Sequence, residues 1–341
     1  MRLRPLISSL LVLTAGIAIP ATTAAAHAAK PAAASGWLAR QLVDGERFEA
    51  EFGGEKFPDQ GLTIDAVLGF AATKSSGTNA AKATTWLAKP EILSGYAGDG
   101  ADESYAGAAA KLTLAAQVRG LNPATFGGVD LPARLRALIT PSGRISDKSA
   151  FGDYSNAFSQ SLGIIALKRT PAGVPASAVN FAVGTQCADG GFPIFFGTTP
   201  CVSDTDATAM VVQALLATHR YADAAEGLDF LASKQQADGG LAAGAGAATP
   251  NTNTTGLAGQ AFRAGGRTTD ANQAKSYLLG RQQGCSAPAA VRGAIAYDAT
   301  GFDPATAPRA TAQAVLGLGA PGLHQLTAAG SSPTAATLSC S

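Results

Sequence analysis

The stretch from Cys187 to Leu216, CADGGFPIFFGTTPCVSDTDATAMVVQALL, decides the fold because weaker copies of it recur along the chain. Its first part, Asp189-Gly-Gly191, predicts a turn, since aspartate bonds its own backbone and glycine accepts positive φ. After a loop, the segment Ser203 to Asp206 offers side-chain oxygens and carboxylates that favour a helix start. The following helix, Ala207–Ala217, is apolar on nearly all sides. The unit is therefore a turn, a loop and a buried helix.

Six copies of this unit can be placed, and they return roughly every 40 to 50 residues, which indicates stacked supersecondary units. In each copy the first helix is amphipathic, as in Asp223 to Gln235, and we expect it on the outside. The second helix is apolar almost all round, and we expect it inside. Six such hairpins predict an all-α fold, an α6/α6 toroid, with an open solenoid as the alternative. The copies span Trp37–Phe70, Trp86–Leu112, Leu135–Leu162, Cys187–Leu216, Leu228–Ala261 and Tyr277–Leu316.

The two ends of the chain differ from the repeats. Arg2 and Arg4, an apolar run from Leu6 to Ile19 and the sequence Ala26-His-Ala28 predict a secretory signal peptide over residues 1–28. We expect the toroid over residues 29–325 and a strap or tail over residues 326–341, which are rich in Ser, Thr and Ala. The protein is therefore expected to be secreted and extracellular, without a membrane span.

Charge and cysteine content limit the function further. Removal of Arg2 and Arg4 turns the balance of 25 basic and 24 acidic residues into a net charge near −1. This charge gives no electrostatic case for nucleic-acid binding. Four cysteines in an exported chain predict two disulfides. Of the three pairings, Cys187 with Cys201 and Cys285 with Cys340 is the most local.

The motif from Gln186 to Phe192, Q-x-x-D-G-G-F, followed by a D-x-A-x-A-type helix, resembles the squalene-cyclase and prenyltransferase repeat superfamily. That resemblance implies an α6/α6 toroid over the whole mature chain. Thr205 to Met210 resembles the V-D-T-A-A-M helix start of transcobalamin and intrinsic factor, which are extracellular cobalamin carriers. Asp204-Thr-Asp-Ala207 resembles the D-x-D-D acid motif of class II terpene cyclases instead, and departs from it at Ala207.

The starts of the inner helices supply a candidate ligand site. When these starts are aligned, one residue of each copy falls in a shared column, which would line one mouth of the toroid. Helix N-termini and polar side chains there would hold the amides, hydroxyls or phosphates of a ligand. The alternative is that these residues are N-terminal helix caps, as Asp and Asn often are. The column comprises Asp65, Tyr105, Asn156, Asp206, Asn253 and Arg309.

Two further groups belong to the candidate site. Asp204 lies beside the column, and with Asp206 it would form the catalytic acid pair of a cyclase, because close carboxylates raise one pKa. The same pair is also a common helix start. Phe195 and Phe196 would cover a ligand at the mouth, or would pack beneath their own loop.

Other enzyme classes fit less well. A zinc prenyltransferase needs clustered Cys, His and Asp ligands, whereas His219 and His324 lie far apart in the sequence. Glycosidases also use α6/α6 toroids, but Glu46 and Glu49, or the neighbours Asp102 and Glu103, show no spacing beyond that of solvated surface charge.

The sequence thus predicts a secreted protein that captures a small molecule, with a corrinoid such as cobalamin as the concrete hypothesis and no required cofactor. Cobalamin carriers add a β domain that closes over the ligand, and no strand-rich segment follows residue 320 here. Either the affinity is therefore modest or a partner chain completes the site. The first alternative is a class II terpene-cyclase-like enzyme, and the second is an extracellular protein-interaction module.

Overall fold

The computed structural model describes residues 30–244 and 246–340, so the predicted signal peptide lies outside it. Thirteen α-helices and one β-hairpin occur in these residues, and none of the helices is long and apolar enough to cross a membrane. The inner helices are α2 (Gln60–Ala72), α5 (Ala106–Val118), α7 (Ala157–Lys168), α9 (Thr205–Ala217), α11 (Thr252–Ala264) and α13 (Ala307–Gly317). The outer helices are α1 (Lys30–Arg40), α3 (Gly77–Leu87) with α4 (Pro90–Ala97), α6 (Leu131–Ala137), α8 (Ala176–Val183), α10 (Tyr221–Lys234) and α12 (Thr268–Gly280).

The inner helices form a closed ring. Each of them packs on the next along the chain, and α13 packs on α2, so the last repeat meets the first. Helix α1 covers that seam by contacting both α13 and α2. The predicted all-α, α6/α6 toroid is confirmed, and the open solenoid is not the architecture.

Small residues make this closure possible. A Cβ atom at Gly256 of α11 would lie 2.5 Å from the carbonyl oxygen of Gln313, and a Cβ atom at Gly317 of α13 would lie 2.9 Å from the α-carbon of Gly256. At the seam, a Cβ at Gly69 of α2 would lie 2.8 Å from a methyl of Val315 on α13. The many alanines and glycines of the sequence therefore reflect close approach between inner helices.

The Gln and Gly-Gly residues of the repeat motif tie each turn to the next outer helix. Gln186 Nε2 donates to the carbonyl oxygens of Gly190 (2.9 Å) and Asp223 (3.1 Å), and Gln235 makes the equivalent bonds one repeat later. Gly190 has φ of 85°, and a Cβ there would meet the Glu226 carbonyl at 2.8 Å. The motif is therefore structural.

A second recurring bond fixes where each inner helix begins. The backbone N–H of the buried residue Phe192 donates to Thr208 Oγ1 of α9 (2.8 Å). We call this bond the threonine clamp, and a glutamine replaces the threonine in the third repeat. Because the clamp recurs, it defines equivalent positions on the inner helices. The equivalent pairs are Phe48 with Thr63, Ile145 with Gln160, Leu241 with Thr255 and Ile295 with Thr311.

The residues after α13 form a strap across the lower end of the ring, where the inner helices end. Leu323 and Leu326 are buried in the core. The Leu323 N–H donates to Gln213 Oε1 (3.0 Å), and the guanidinium of Arg169 donates to strap carbonyls. The strap ends at Cys340, which is bonded to Cys285.

A β-hairpin precedes α2 and was not predicted. Strand β1 (Phe48–Phe52) pairs antiparallel with β2 (Glu55–Asp59), and Gly53 and Gly54 form the turn with φ of 62° and 85°. Two glycines between strands are a recognised hairpin signal, because this turn needs positive φ at both positions.

We expect Gly256→Ala to lower the free energy of unfolding by about 1–3 kcal/mol, because the added methyl overlaps a backbone carbonyl that cannot rotate away. Gly95→Ala is the matched control, since its Cβ would meet nothing within 4 Å. That variant should be more stable by about 0.5–1 kcal/mol. Urea unfolding followed by circular dichroism measures both, and equal effects of the two substitutions would contradict close inner-helix packing.

Candidate functional site at the upper mouth

The inner helices all begin at the same end of the ring, which we call the upper mouth. They are buried along nearly their whole length, and their first two turns hold the partly exposed positions. On α2 and α5 these positions are four residues apart, so they lie on one helix face. Counting from the threonine clamp gives two layers around the mouth. The upper layer is Gly61, Gly107, Phe158, Asp206, Asn253 and Arg309, and the lower layer is Asp65, Lys111, Leu162, Met210, Leu257 and Gln313.

Counting from the threonine clamp corrects the positions of three of the six residues in the predicted column. Asp206, Asn253 and Arg309 occupy equivalent positions, two residues before their clamp threonines. Asp65 lies one turn deeper, and Tyr105 and Asn156 each precede the first residue of their helix. The predicted positions were wrong for these three because the sequence alone did not show where each helix begins.

Asn156 acts as a helix cap. Its Oδ1 accepts the N–H groups of Phe158 (2.9 Å) and Ser159 (3.4 Å), and Ser159 Oγ accepts the Asn156 N–H in return. The capping interpretation therefore holds for Asn156. Tyr105 also precedes its helix but makes no cap bond, and a hydrogen bond with Glu103 raises the pKa of the Tyr105 hydroxyl.

Asp204 and Asp206 have different roles although only one residue separates them. Asp204 caps α9, since its Oδ1 accepts the N–H of Ala207 (2.8 Å). In the next repeat Asn251 caps α11 in the same way, which leaves Asn253 free of capping. Asp206 and Asn253 therefore direct their side chains into the mouth without a local backbone partner.

Asp206 is the most perturbed acid of the mouth. Its Oδ1 is buried without a hydrogen-bond partner, and so are Asn253 Oδ1 and Thr254 Oγ1 nearby. Burial raises the pKa of Asp206 to about 6; the Thr254 hydroxyl opposes the shift without reaching good hydrogen-bond geometry, and Asp204 adds to it. A large fraction of Asp206 is therefore protonated at mildly acidic pH, so it can donate a proton.

The opposite side of the mouth carries ion pairs. Lys111 Nζ lies 2.7 Å from Asp65 Oδ1, with 18% and 14% of their side-chain surfaces exposed, and it also donates to the Gly61 carbonyl (3.0 Å). Burial alone would lower the pKa of Lys111, but Asp65 outweighs it and the pKa is raised. Arg309 pairs with Asp59 (2.8 Å). Sequence reasoning missed Lys111, although it is the lone charge in an otherwise apolar helix.

The two phenylalanines of the disulfide loop, Phe195 and Phe196, lie in different environments. Phe196 packs edge-on against Phe181, with ring centroids 5.0 Å apart, and the Arg144 guanidinium lies 5.3 Å from its centroid. Phe196 therefore packs beneath its loop, as the alternative interpretation held, whereas Phe195 is exposed. Cys187 is bonded to Cys201 in this loop, and the two disulfides are compatible with a secreted protein.

A cavity of about 410 Å³ adjoins Asp204 on the outer side of the mouth. It lies between the loops that precede α9 and α11, and its lining includes Ser203, Thr205 and Phe230. Lys234 also lines it, with its ammonium 5.0 Å from the centre of the Phe230 ring. The first turn of α9 is therefore accessible from this cavity as well as from the upper mouth.

No metal site accompanies these features in the described part of the chain, where no three His, Cys, Asp or Glu residues are placed to hold an ion. His219 and His324 do approach each other in the structure, which corrects their apparent separation. Burial, with Arg169 and His219, lowers the pKa of His324. Both histidines lie at the lower end, away from the mouth.

Comparisons with protein-family models and with curated proteins find no match. Among solved structures, a protein from Actinoplanes superposes with a TM-score of 0.62 at 15% identity, covering 86% of this chain and 98% of that one. The type II terpene cyclase MstE from Scytonema gives 0.61 at 12% identity, with the same coverages. A variant of a glycosidase gives 0.60 at 14% identity, covering 89% and 98%. At such identities these similarities establish the fold alone.

The pKa of Asp206 predicts how stability changes with pH. The folded state binds this proton more tightly than the unfolded state does, so its contribution to the free energy of unfolding is present below about pH 4 and lost as pH rises through about 6. We expect Asp206→Asn to exceed the native protein in free energy of unfolding by about 1–3 kcal/mol at pH 8, and to match it at pH 4. Urea unfolding at both pH values measures this difference.

Asp204→Ala is the matched control, because it should destabilise the protein by about 1 kcal/mol at pH 8 through loss of the helix cap. If the Asp206→Asn protein were less stable than the native protein at pH 8, the Asp206 carboxylate would be stabilising, which contradicts this account of its raised pKa.

Proposed function

We propose that the upper mouth is the active site of a class II terpene-cyclase-like enzyme in which Asp206 is the proton donor. The observation that carries this proposal is the Asp206 carboxyl, whose Oδ1 is buried without a hydrogen-bond partner and whose pKa burial raises to about 6. An unsatisfied buried polar atom costs stability, which is a common property of functional sites. Asp206 also occupies the third position of the D-x-D-D-like sequence, which corresponds to the central aspartate of the cyclase motif.

The chemistry requires an acid that is protonated before the substrate arrives. The Asp206 carboxyl would give its proton to the terminal alkene of an isoprenoid chain, whose π electrons form the new C–H bond. The resulting carbocation is captured by the next alkene, and a ring closes. Loss of a proton to the Asp206 carboxylate restores the acid and leaves a product isomeric with the substrate. Asp204 positions Asp206 by holding the first turn of α9.

The surroundings of Asp206 suit a cationic intermediate better than the composition suggested. The lower layer contains Leu162, Met210 and Leu257, which are nearly inaccessible to water. Phe158 belongs to the upper layer, and its aromatic face can stabilise positive charge. Only 6% of the residues in the chain are aromatic, but for a cyclase the position of the aromatic side chains matters more than their number.

The structural neighbours support this proposal by analogy. One neighbour, a variant of MstE at 13% identity, is described in complex with geranylgeranyl dihydroxybenzoate as substrate. An isoprenoid chain with an aromatic head group is therefore a reasonable first substrate for this fold. The ion-paired side of the mouth, with Lys111 and Arg309, offers polar partners for such a head group.

The corrinoid hypothesis stays a prediction with less support. It relied on a rim of free polar side chains, whereas Arg309 is paired with Asp59 and Asn156 is used as a cap. The candidate carboxylates Glu46 and Glu49 do not support the glycosidase alternative either, because both form ion pairs with Arg47.

Incubation of the purified protein with geranylgeranyl dihydroxybenzoate and with squalene tests the proposal. In deuterated water the product should be an isomer of the substrate that carries one deuterium, since the Asp206 proton exchanges with solvent. Activity should fall as pH rises through about 6, because the protonated acid is required. Mass spectrometry and NMR of the product measure both effects.

Asp206→Asn should lower turnover by about 10²–10⁴-fold, the range for loss of a general acid. Asp204→Asn is the matched control and should keep most of the activity, because asparagine caps a helix as well as aspartate does. Native protein that converts neither substrate, or an Asp206→Asn protein as active as the native one, would contradict the proposal.

A further inference from the structure

The upper face of the toroid gathers exposed aromatic side chains. Eight large apolar residues stand out as exposed in the described chain, and six of them lie in the segments that precede inner helices. Leu121 and Tyr221 are the two at the lower end. A cluster of exposed apolar side chains on one face marks an interaction surface more often than chance exposure does. The six upper residues are Phe52, Phe57, Phe151, Tyr154, Phe195 and Val202.

The β-hairpin contributes the most exposed part of this surface. Ala50 pairs with Phe57, and Phe52 pairs with Glu55, so these side chains share one face of the hairpin. Phe48 anchors the same face in the core, while Phe52 and Phe57 are 81% and 48% exposed. The hairpin thus presents an apolar face that no described part of the chain covers.

Charge separates the two ends of the toroid. Residues 41–59 and 98–104, at the upper end, contain nine acidic and two basic residues. The segments that join inner helices to outer helices at the lower end contain five basic residues and one acidic residue. The upper acidic residues are Asp44, Glu46, Glu49, Glu51, Glu55, Asp59, Asp99, Asp102 and Glu103; the lower basic residues are Lys74, Arg119, Arg169, Arg220 and Arg267, and the lower acidic residue is Asp130.

We propose that the upper face binds a cationic amphipathic segment of a partner protein. Leucine-like side chains of the partner would cover Phe52, Phe57 and Phe151. Lys and Arg residues of the partner would pair with carboxylates that are not already bonded to Arg47 or Arg309, such as those of Glu51 and Glu55. Aromatic rings such as Tyr154 also attract cations. An anionic lipid surface or a nucleic acid would be repelled by the same carboxylates. The segment would lie over the mouth, where a partner chain was expected to complete the site.

The probe is a synthetic helical peptide with leucine on one face and lysine on the other, and its matched control replaces lysine by glutamate. Isothermal titration with the whole protein should show binding of the lysine peptide alone. Affinity should fall by about tenfold or more from low to high salt, since exposed charges are screened. Phe52→Ser with Phe57→Ser, and separately Glu51→Lys with Glu55→Lys, should each weaken binding by about tenfold, as expected for loss of central apolar or charged contacts.

Exposed residues elsewhere serve as controls. Tyr221→Ser at the lower end and Glu226→Lys on the outer wall should leave peptide affinity unchanged. Asp206→Asn should also leave it unchanged, so this surface and the proposed catalytic site can fail independently. Equal binding of both peptides would overturn the proposal. So would unchanged affinity in the hairpin variants, or sedimentation with phosphatidylglycerol vesicles in place of peptide binding.

Discussion

Close packing between inner helices is the constraint on which the rest of the molecule depends. Six helices close into a ring here because glycine and alanine at their contacts let the backbones approach, as at Gly256 against α13 and at Gly69 across the seam. Below the mouth, the lower layer carries apolar side chains such as Leu162 and Leu257, which are nearly inaccessible to water. Deeper polar side chains such as Gln213 are buried and hydrogen-bonded, so the partly exposed polar groups of the fold collect in the first two turns, at the upper mouth.

The first turn of α9 shows how local structure produces a reactive group. The cap bond of Asp204 and the clamp bond of Thr208 hold this turn from both sides of Asp206. Asp206 is then fixed beside Asn253 and Thr254, without a donor for its buried oxygen. Its raised pKa follows from this position, since a carboxylate that cannot be solvated or paired prefers to be protonated. By contrast Asp65, one turn deeper on α2, meets Lys111 and forms an ion pair.

The repeats, the ring and the position of Asp206 could be predicted from the sequence, because the Asp-Gly-Gly turn and the helix start lie close together in repeats four and five. The positions of Asp65 and Tyr105 relative to the starts of their helices could not be predicted. Repeat two has Ala109 where the clamp threonine stands elsewhere, so nothing local anchors the alignment there. Lys111 was visible as a lone charge, but its partner Asp65 comes from the preceding repeat. The aromatic upper face needed the structure, since its residues are scattered over two loops and a hairpin.

The proposed proton transfer requires that Asp206 stays protonated at mildly acidic pH, where exposed aspartates are already ionised. NMR titration of protein carrying ¹³C in its aspartate carboxyl groups measures this directly. One carboxyl resonance should titrate with a midpoint of about 6 and should be absent from the Asp206→Asn spectrum. A resonance of Asp206 that titrates near the ordinary aspartate pKa of about 4, together with the surface aspartates, would contradict this mechanism.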